Sequence, residues 1–171
     1  SVSSSAPVSA PNQSNAAAGN PESGDWASAV PQAEAPGKVE LGLKFSVQKD
    51  GKVKALRFYQ ANGESGAHTL RLWNADGTLA ATVNASEKQG AGWISAVLPE
   101  PLAVKAGATF IVSYTCNAKY PATADVFKAP LTRGGITGIT GLYSMTDLGQ
   151  KAPEKTFKNM NYFLDVDFEQ Q

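Results

Sequence analysis

Along most of the chain beyond residue 38, apolar and polar positions alternate with a period of two, and no apolar set recurs at helical spacing. Residues 39–45 show this most clearly: Val39, Leu41, Leu43 and Phe45 fall on one side, Glu40 and Lys44 on the other. Such alternation marks a strand with one buried face. Leu56-Arg57-Phe58-Tyr59 repeats it in shorter form. Residues 61–67 collect Asn62, Gly63, Ser65 and Gly66 and read as a loop. Residues 69–73 then resume the pattern, with Leu70 and Leu72 on one face and Arg71 and Trp73 on the other. Asn74-Ala75-Asp76-Gly77 suits a hairpin reversal, because Gly accepts positive φ and Asp tolerates it. Residues 78–83 form the returning strand, so the stretch 56–83 predicts a β-meander.

Lys49-Asp50-Gly51-Lys52 is a polar turn. Residues 93–98 form a strand that Pro99 and Pro101 should stop, since proline cannot donate to a ladder. A short strand follows at 102–104. The next covers 109–115, with Phe110, Val112 and Tyr114 on one face. From 117 to 158 the pattern dissolves into Gly, Pro, Thr and Ala, anchored by Tyr120, Phe127, Leu142 and Tyr143. A stretch of that length without periodicity is more often functional than accidental. The last strand, 161–168, sends Tyr162, Leu164, Val166 and Phe168 inward and Phe163, Asp165 and Asp167 outward. Roughly seven to nine short strands at this spacing predict an all-β fold, a two-sheet antiparallel β-sandwich of jelly-roll type.

Composition changes the picture at one end. Residues 1–21 are Ser, Ala, Pro, Asn, Gln and Gly with two valines and no charge. Such a segment buries too little apolar surface to offset its ordering entropy, so a disordered linker is expected there. Residues 22–171 form the sandwich module. It is long enough to fold without disulfides or metals. Fifteen basic and fifteen acidic residues cancel. With no basic run, nucleic acid and anionic membrane are excluded as general partners. No apolar run is long enough to span a bilayer, so membrane insertion is not expected. No signal peptide is visible, which leaves a cytoplasmic chain or a trimmed export product. Uncharged linkers of this kind commonly tether extracellular bacterial modules, and they tilt the expectation towards a secreted or cell-surface protein.

Catalytic chemistry is thinly supplied. Cys116 stands alone and His68 is the sole imidazole. No GxSxG elbow is present, so a nucleophile with an activating base is hard to assemble. Cys116 reads as a small core residue, and His68 as a loop residue ordering the turn before its strand. Asp165 and Asp167 sit two apart on a strand and project from one face. They could pair with an arginine, hold one structural calcium with help from loop carbonyls, serve as a paired acid and base, or simply be solvated. A mixed set lies on the outward face of the central strands: Arg57, Tyr59, Arg71 and Trp73. If those strands pair, two cations and two aromatics share one surface, the mixture that sugar recognition uses. Trp73 is ambiguous, because a bulge could shift it into the core. Tyr120 and Tyr143, in the irregular region, are comparable ligand-binding candidates.

The ordered series LGLKF (41–45), LRFYQ (56–60), AHTLRLWNADGTLAATV (67–83), AGWISAVLPEPLAVKAGATFIVSY (91–114), GLYSM (141–145) and NYFLDVDF (161–168) resembles a bacterial module family. That family is of the domain-of-unknown-function type and occurs in large secreted and surface proteins beside immunoglobulin-like and carbohydrate-active modules. Its members run ELGVKF, IRFYK, GTHTGSLW, SGW, PVAVTAGTTYVASY and NYWVDVVF in the same order. The resemblance spans about residues 22–169 and departs at Phe163, where the family commonly has Trp, and at Asp167, where it has Val. It implies a non-catalytic role, carbohydrate-binding or adhesive, and transfers no functional residues. Taken together, the expectation is a non-enzymatic extracellular accessory module that binds a polysaccharide or glycan and is tethered to neighbouring domains. A structural or adhesive spacer without a small ligand is the alternative.

Overall fold

A computed structural model describes residues 32–35, 37–133 and 135–170 of the chain. The linker expected over 1–21 lies outside the described residues. Every regular element within them is a strand: β1 (Gln32–Glu34), β2 (Val39–Val47), β3 (Gly51–Gln60), β4 (His68–Asn74), β5 (Leu79–Ala85), β6 (Gly92–Val104), β7 (Thr109–Cys116), β8 (Lys119–Pro121), β9 (Leu131–Arg133), β10 (Ile136–Ser144) and β11 (Leu164–Gln170). Six of them make one antiparallel sheet in the order β5-β4-β7-β2-β10-β9, and three make another in the order β11-β3-β6. β1 and β8 add a two-stranded ribbon. The fold is an all-β sandwich.

The core is the product of the alternation. Val39, Leu41, Leu43, Phe45 and Val47 of β2, Leu70 and Leu72 of β4, and Phe110, Val112, Tyr114 and Cys116 of β7 line the inner face of the large sheet. Val53, Leu56 and Phe58 of β3, Ile94, Ala96 and Leu98 of β6, and Leu164, Val166 and Phe168 of β11 meet them from the small sheet. Phe58 stacks on Tyr114 across the interface, with ring centroids 4.3 Å apart. Apolar area removed from water by two such faces is the main stabilising contribution to a sandwich of this size.

Three expectations are corrected. The meander over 56–83 does not form. β4 and β5 are the expected hairpin around Asp76-Gly77, with the Thr78 N–H and hydroxyl both donating to Asp76 Oδ1. β3, however, leaves for the other sheet and pairs with β6 and β11. The loop at 61–67 is long enough to cross the core, and period-two alternation says only that a strand has two faces, not which sheet it joins.

Pro99 and Pro101 do not end β6. The ladder passes from Ala55↔Val97 to Val53↔Leu102, so the prolines fall in an irregularity on an edge strand where no donor is required. In the region that looked structureless, β10 runs for nine residues beside β2. Its glycines disguised it. Gly138 and Gly141 occupy positions opposite Phe45 and Leu43, where a strand usually shows a bulky side chain.

Phe163 keeps its expected outward side, beside Tyr59, yet is buried there: it adopts φ 62° and its N–H donates to Asn161 Oδ1 (2.9 Å). β11 therefore starts at Leu164.

Candidate functional site

Two polar clusters are built into the frame. On the outer side of the large sheet, Glu40 is fully buried although the alternation points it away from the core. The Ser113 hydroxyl donates to its Oε2 (2.7 Å) and the Thr115 hydroxyl to its Oε1 (2.6 Å). Arg71 Nη1 donates to both carboxylate oxygens at 3.1 and 3.3 Å and to Thr115 Oγ1 at 3.0 Å. The Trp73 indole N–H donates to Ser113 Oγ (2.9 Å). The segment 145–154 lies over this cluster: a Cβ on Gly149 would come within 2.6 Å of Arg71 Cζ, and one on Gly42 within 2.8 Å of Pro153 Cγ. Trp73 is 2% exposed and lies opposite Ile111 on the outer side. The β4–β5 ladder carries an irregularity at Leu72/Trp73, while the β4–β7 pairing stays in register and keeps the ring on that side.

The second cluster holds the sole histidine. Glu64 accepts from the backbone N–H groups of Asn117 (2.7 Å), Ala118 (3.0 Å) and Lys119 (2.9 Å), and lies 2.8 Å from His68 Nε2. Burial raises the Glu64 pKa more than any other single influence. The bonds from His68 and the three amides together outweigh it and bring the carboxyl down to about 2. The His68 ring sits against Phe58 and Tyr114, so it is fixed on both faces. Cys116 is buried, donates to the Lys119 carbonyl (3.2 Å), and is pushed up to about 12, first by burial and then by Glu64. A thiol so far above neutrality is not a nucleophile.

The outer face of the three-stranded sheet is partly open, with Ser95, Val97 and Asp167 exposed and Arg57, Tyr59 and Trp93 half-buried. β3 presents Arg57 and Tyr59, β6 presents Trp93, Ser95 and Val97, and β11 presents Asp165 and Asp167. Tyr59 lies opposite Trp93, with ring centroids 5.5 Å apart and planes at 87°. The Arg57 guanidinium lies over the Trp93 ring at 5.5 Å, and its Nη1 is 3.9 Å from Asp165 Oδ2. Burial lowers the Arg57 pKa, opposed by Asp165 and Asp167. Val97, at 72% exposure, shows that the face is uncovered at that end.

The six expected ligand-binding residues thus fall in three places. Arg57 and Tyr59 share the small sheet's outer face. Arg71 and Trp73 lie on the opposite side of the sandwich, because β3 and β4 belong to different sheets. The surface of four that pairing would have made does not exist. Tyr120 and Tyr143 lie at one end of the sandwich, near Tyr162. Of the expected calcium ligands, Asp165 is buried beside Arg57 and Asp167 is exposed. Calcium takes six to eight oxygens, so Asp165 and Asp167 would supply only part of such a set. Among the described residues no three of His, Cys, Asp or Glu come together to hold a metal ion. Trp93 was missed as a site residue, although its outward position was legible from Ile94, Ala96 and Leu98 alternating inward beside it.

Fold and surfaces define a β-sandwich module with an aromatic outer sheet face. The chain belongs to the family described as "Domain of unknown function (DUF4082)", whose model matches residues 25–164. No curated protein matches the sequence.

Proposed function

We propose that the chain is a non-catalytic, extracellular accessory module, secreted or at a bacterial cell surface, that binds carbohydrate and is tethered to neighbouring domains of a larger protein. The observation that carries this reading is the Tyr59–Trp93 pair, two half-buried rings 5.5 Å apart on the outer sheet face, with the Arg57 guanidinium over the Trp93 ring. Aromatic rings stack on the C–H faces of sugars, and a fixed guanidinium donates to hydroxyls. The non-catalytic part draws support from His68, Glu40 and Glu64, whose polar atoms are committed to bonds inside the fold.

Affinity electrophoresis against plant, algal and host polysaccharides tests the reading, run with calcium and with chelator. The expected result is retardation by at least one polysaccharide, lost in Trp93→Ala and weakened in Tyr59→Ala. Retardation lost only with chelator would give Asp165 and Asp167 a metal to hold. No shift on any gel, or a shift that both variants leave intact, overturns the sheet face as the binding surface.

A structural or adhesive spacer is the second reading. It is favoured by the charges of β3 and β11, which answer one another within the sheet: Arg57 faces Asp165, and Lys54 lies 3.7 Å from Glu169.

A further inference from the structure

Asn62-Gly63 is the single Asn-Gly step in the sequence, and every other asparagine precedes a residue that carries a Cβ. The pair forms the centre of a tight turn: the Glu64 N–H donates to the Ala61 carbonyl (3.1 Å), and Gly63 takes φ 88°. This is type II geometry, which wants glycine in the third place and holds ψ of the second residue at about +120°. Asn62 and Gly63 are both exposed, while Ala61 before them and Glu64 after them are buried.

An Asn-Gly step carries a reaction of its own. The Gly63 nitrogen can reach the side-chain amide carbon of Asn62 by closing a five-membered ring, and glycine places no Cβ in its way. The nitrogen gives its proton to water and attacks Cγ, so the C–N bond of a succinimide forms. The bond from Cγ to the side-chain nitrogen breaks, and that nitrogen leaves as ammonia. Water then adds to one of the two ring carbonyls and opens the ring to isoaspartate or aspartate. One water is consumed, one ammonia is released, and nothing is oxidised or reduced.

The folded turn opposes this chemistry. With ψ of Asn62 at about +120°, the Gly63 nitrogen points away from the Asn62 side chain, so the ring closes only when the turn opens. Opening is resisted by the residue next in sequence. Glu64 is tethered to the amides of Asn117, Ala118 and Lys119 and to His68. Lys119 also lies against the turn itself, since a Cβ on Gly63 would fall 3.1 Å from its Cδ and its Nζ.

We propose that Asn62-Gly63 is a latent deamidation site gated by the Glu64 tether. The isoaspartate product carries one extra backbone carbon inside the turn that aligns Glu64, so a transient opening is converted into a lasting loosening of the 61–67 loop. The inference is independent of the carbohydrate reading.

The test incubates the full chain in mildly alkaline buffer and follows residue 62 by mass spectrometry of the tryptic peptide 58–71, with isoaspartate-specific methylation as a second readout. The same chain unfolded in urea supplies the rate of the open turn, and Asn62→Gln is the unreactive control. Wild type is expected to react at least ten-fold more slowly folded than unfolded, and Glu64→Gln to react about ten-fold faster than wild type in the folded state, the effect of losing charge-assisted bonds that hold the loop. Thermal scans confirm that the variant is folded. If it is not, His68→Gln, which removes one bond to Glu64, takes its place with an expected acceleration of about five-fold. No reaction at residue 62 in urea overturns the site. Equal rates folded and unfolded overturn the gate, and a folded variant that reacts no faster than wild type overturns the role of the tether.

Discussion

Glu64 stands in a loop of turn residues and is nonetheless among the most constrained side chains of the molecule. Its carboxylate fastens the 61–67 loop to the β7–β8 turn through three amides and His68. Its pKa is about 2 in the fold against an ordinary 4.5. The stability it contributes is therefore complete above about pH 4.5 and is lost as pH falls towards 2. Glu64→Gln should cost on the order of 3 kcal/mol at neutral pH, by urea denaturation, and should flatten the stability profile between pH 4.5 and 2. A profile as steep as the wild type's would assign that acid sensitivity elsewhere. Little in the local sequence distinguishes Glu64 from a solvated loop glutamate, because its three amide partners lie more than fifty positions away and only His68 is near. Cys116 was legible by contrast, since a strand position facing apolar neighbours needs no partner to be understood. We expect it to resist thiol reagents in the native protein and to react with one equivalent once denaturant is added.

At the scale of elements, the covering segment 145–154 changes the meaning of an entire sheet face. Alternation alone makes Glu40, Arg71, Trp73, Ser113 and Thr115 solvent-facing. The segment turns them into a closed hydrogen-bonded cluster in which each buried polar group has its partner. Gly149 is its point of closest approach: φ is 77°, and any Cβ meets the Arg71 guanidinium. Gly149→Ala should destabilise the protein by about 1 kcal/mol or more and red-shift tryptophan emission as water reaches Trp73. Stability lost without that shift would mean that the strain is absorbed locally and the cover stays shut. β10 carries the same lesson. Gly141 admits Met160 and Tyr162 against the backbone, so a feature that makes the strand pack is one that hid it.

For the whole molecule, the separation of surfaces is the testable consequence. Trp93→Ala acts on the small sheet and Trp73→Ala on the large one, so their effects on stability should add within about 0.5 kcal/mol. Urea denaturation of the double variant checks this, and strong coupling would mean that the two faces communicate through the core. The period-two alternation and the turn residues by themselves determined that the chain is all-β, which residues of β2, β3, β4, β6 and β7 face the core, and where the Asp76-Gly77 hairpin turns. These are local properties, set by side-chain type and spacing along a few residues. Only the tertiary structure decided that β3 and β4 part to different sheets, that Trp73 is buried while Trp93 is half-buried beneath Arg57, and that Tyr120 meets Tyr162. Those outcomes depend on contacts between segments far apart in the chain, and the free energy of such contacts is not written in the pattern of any one of them.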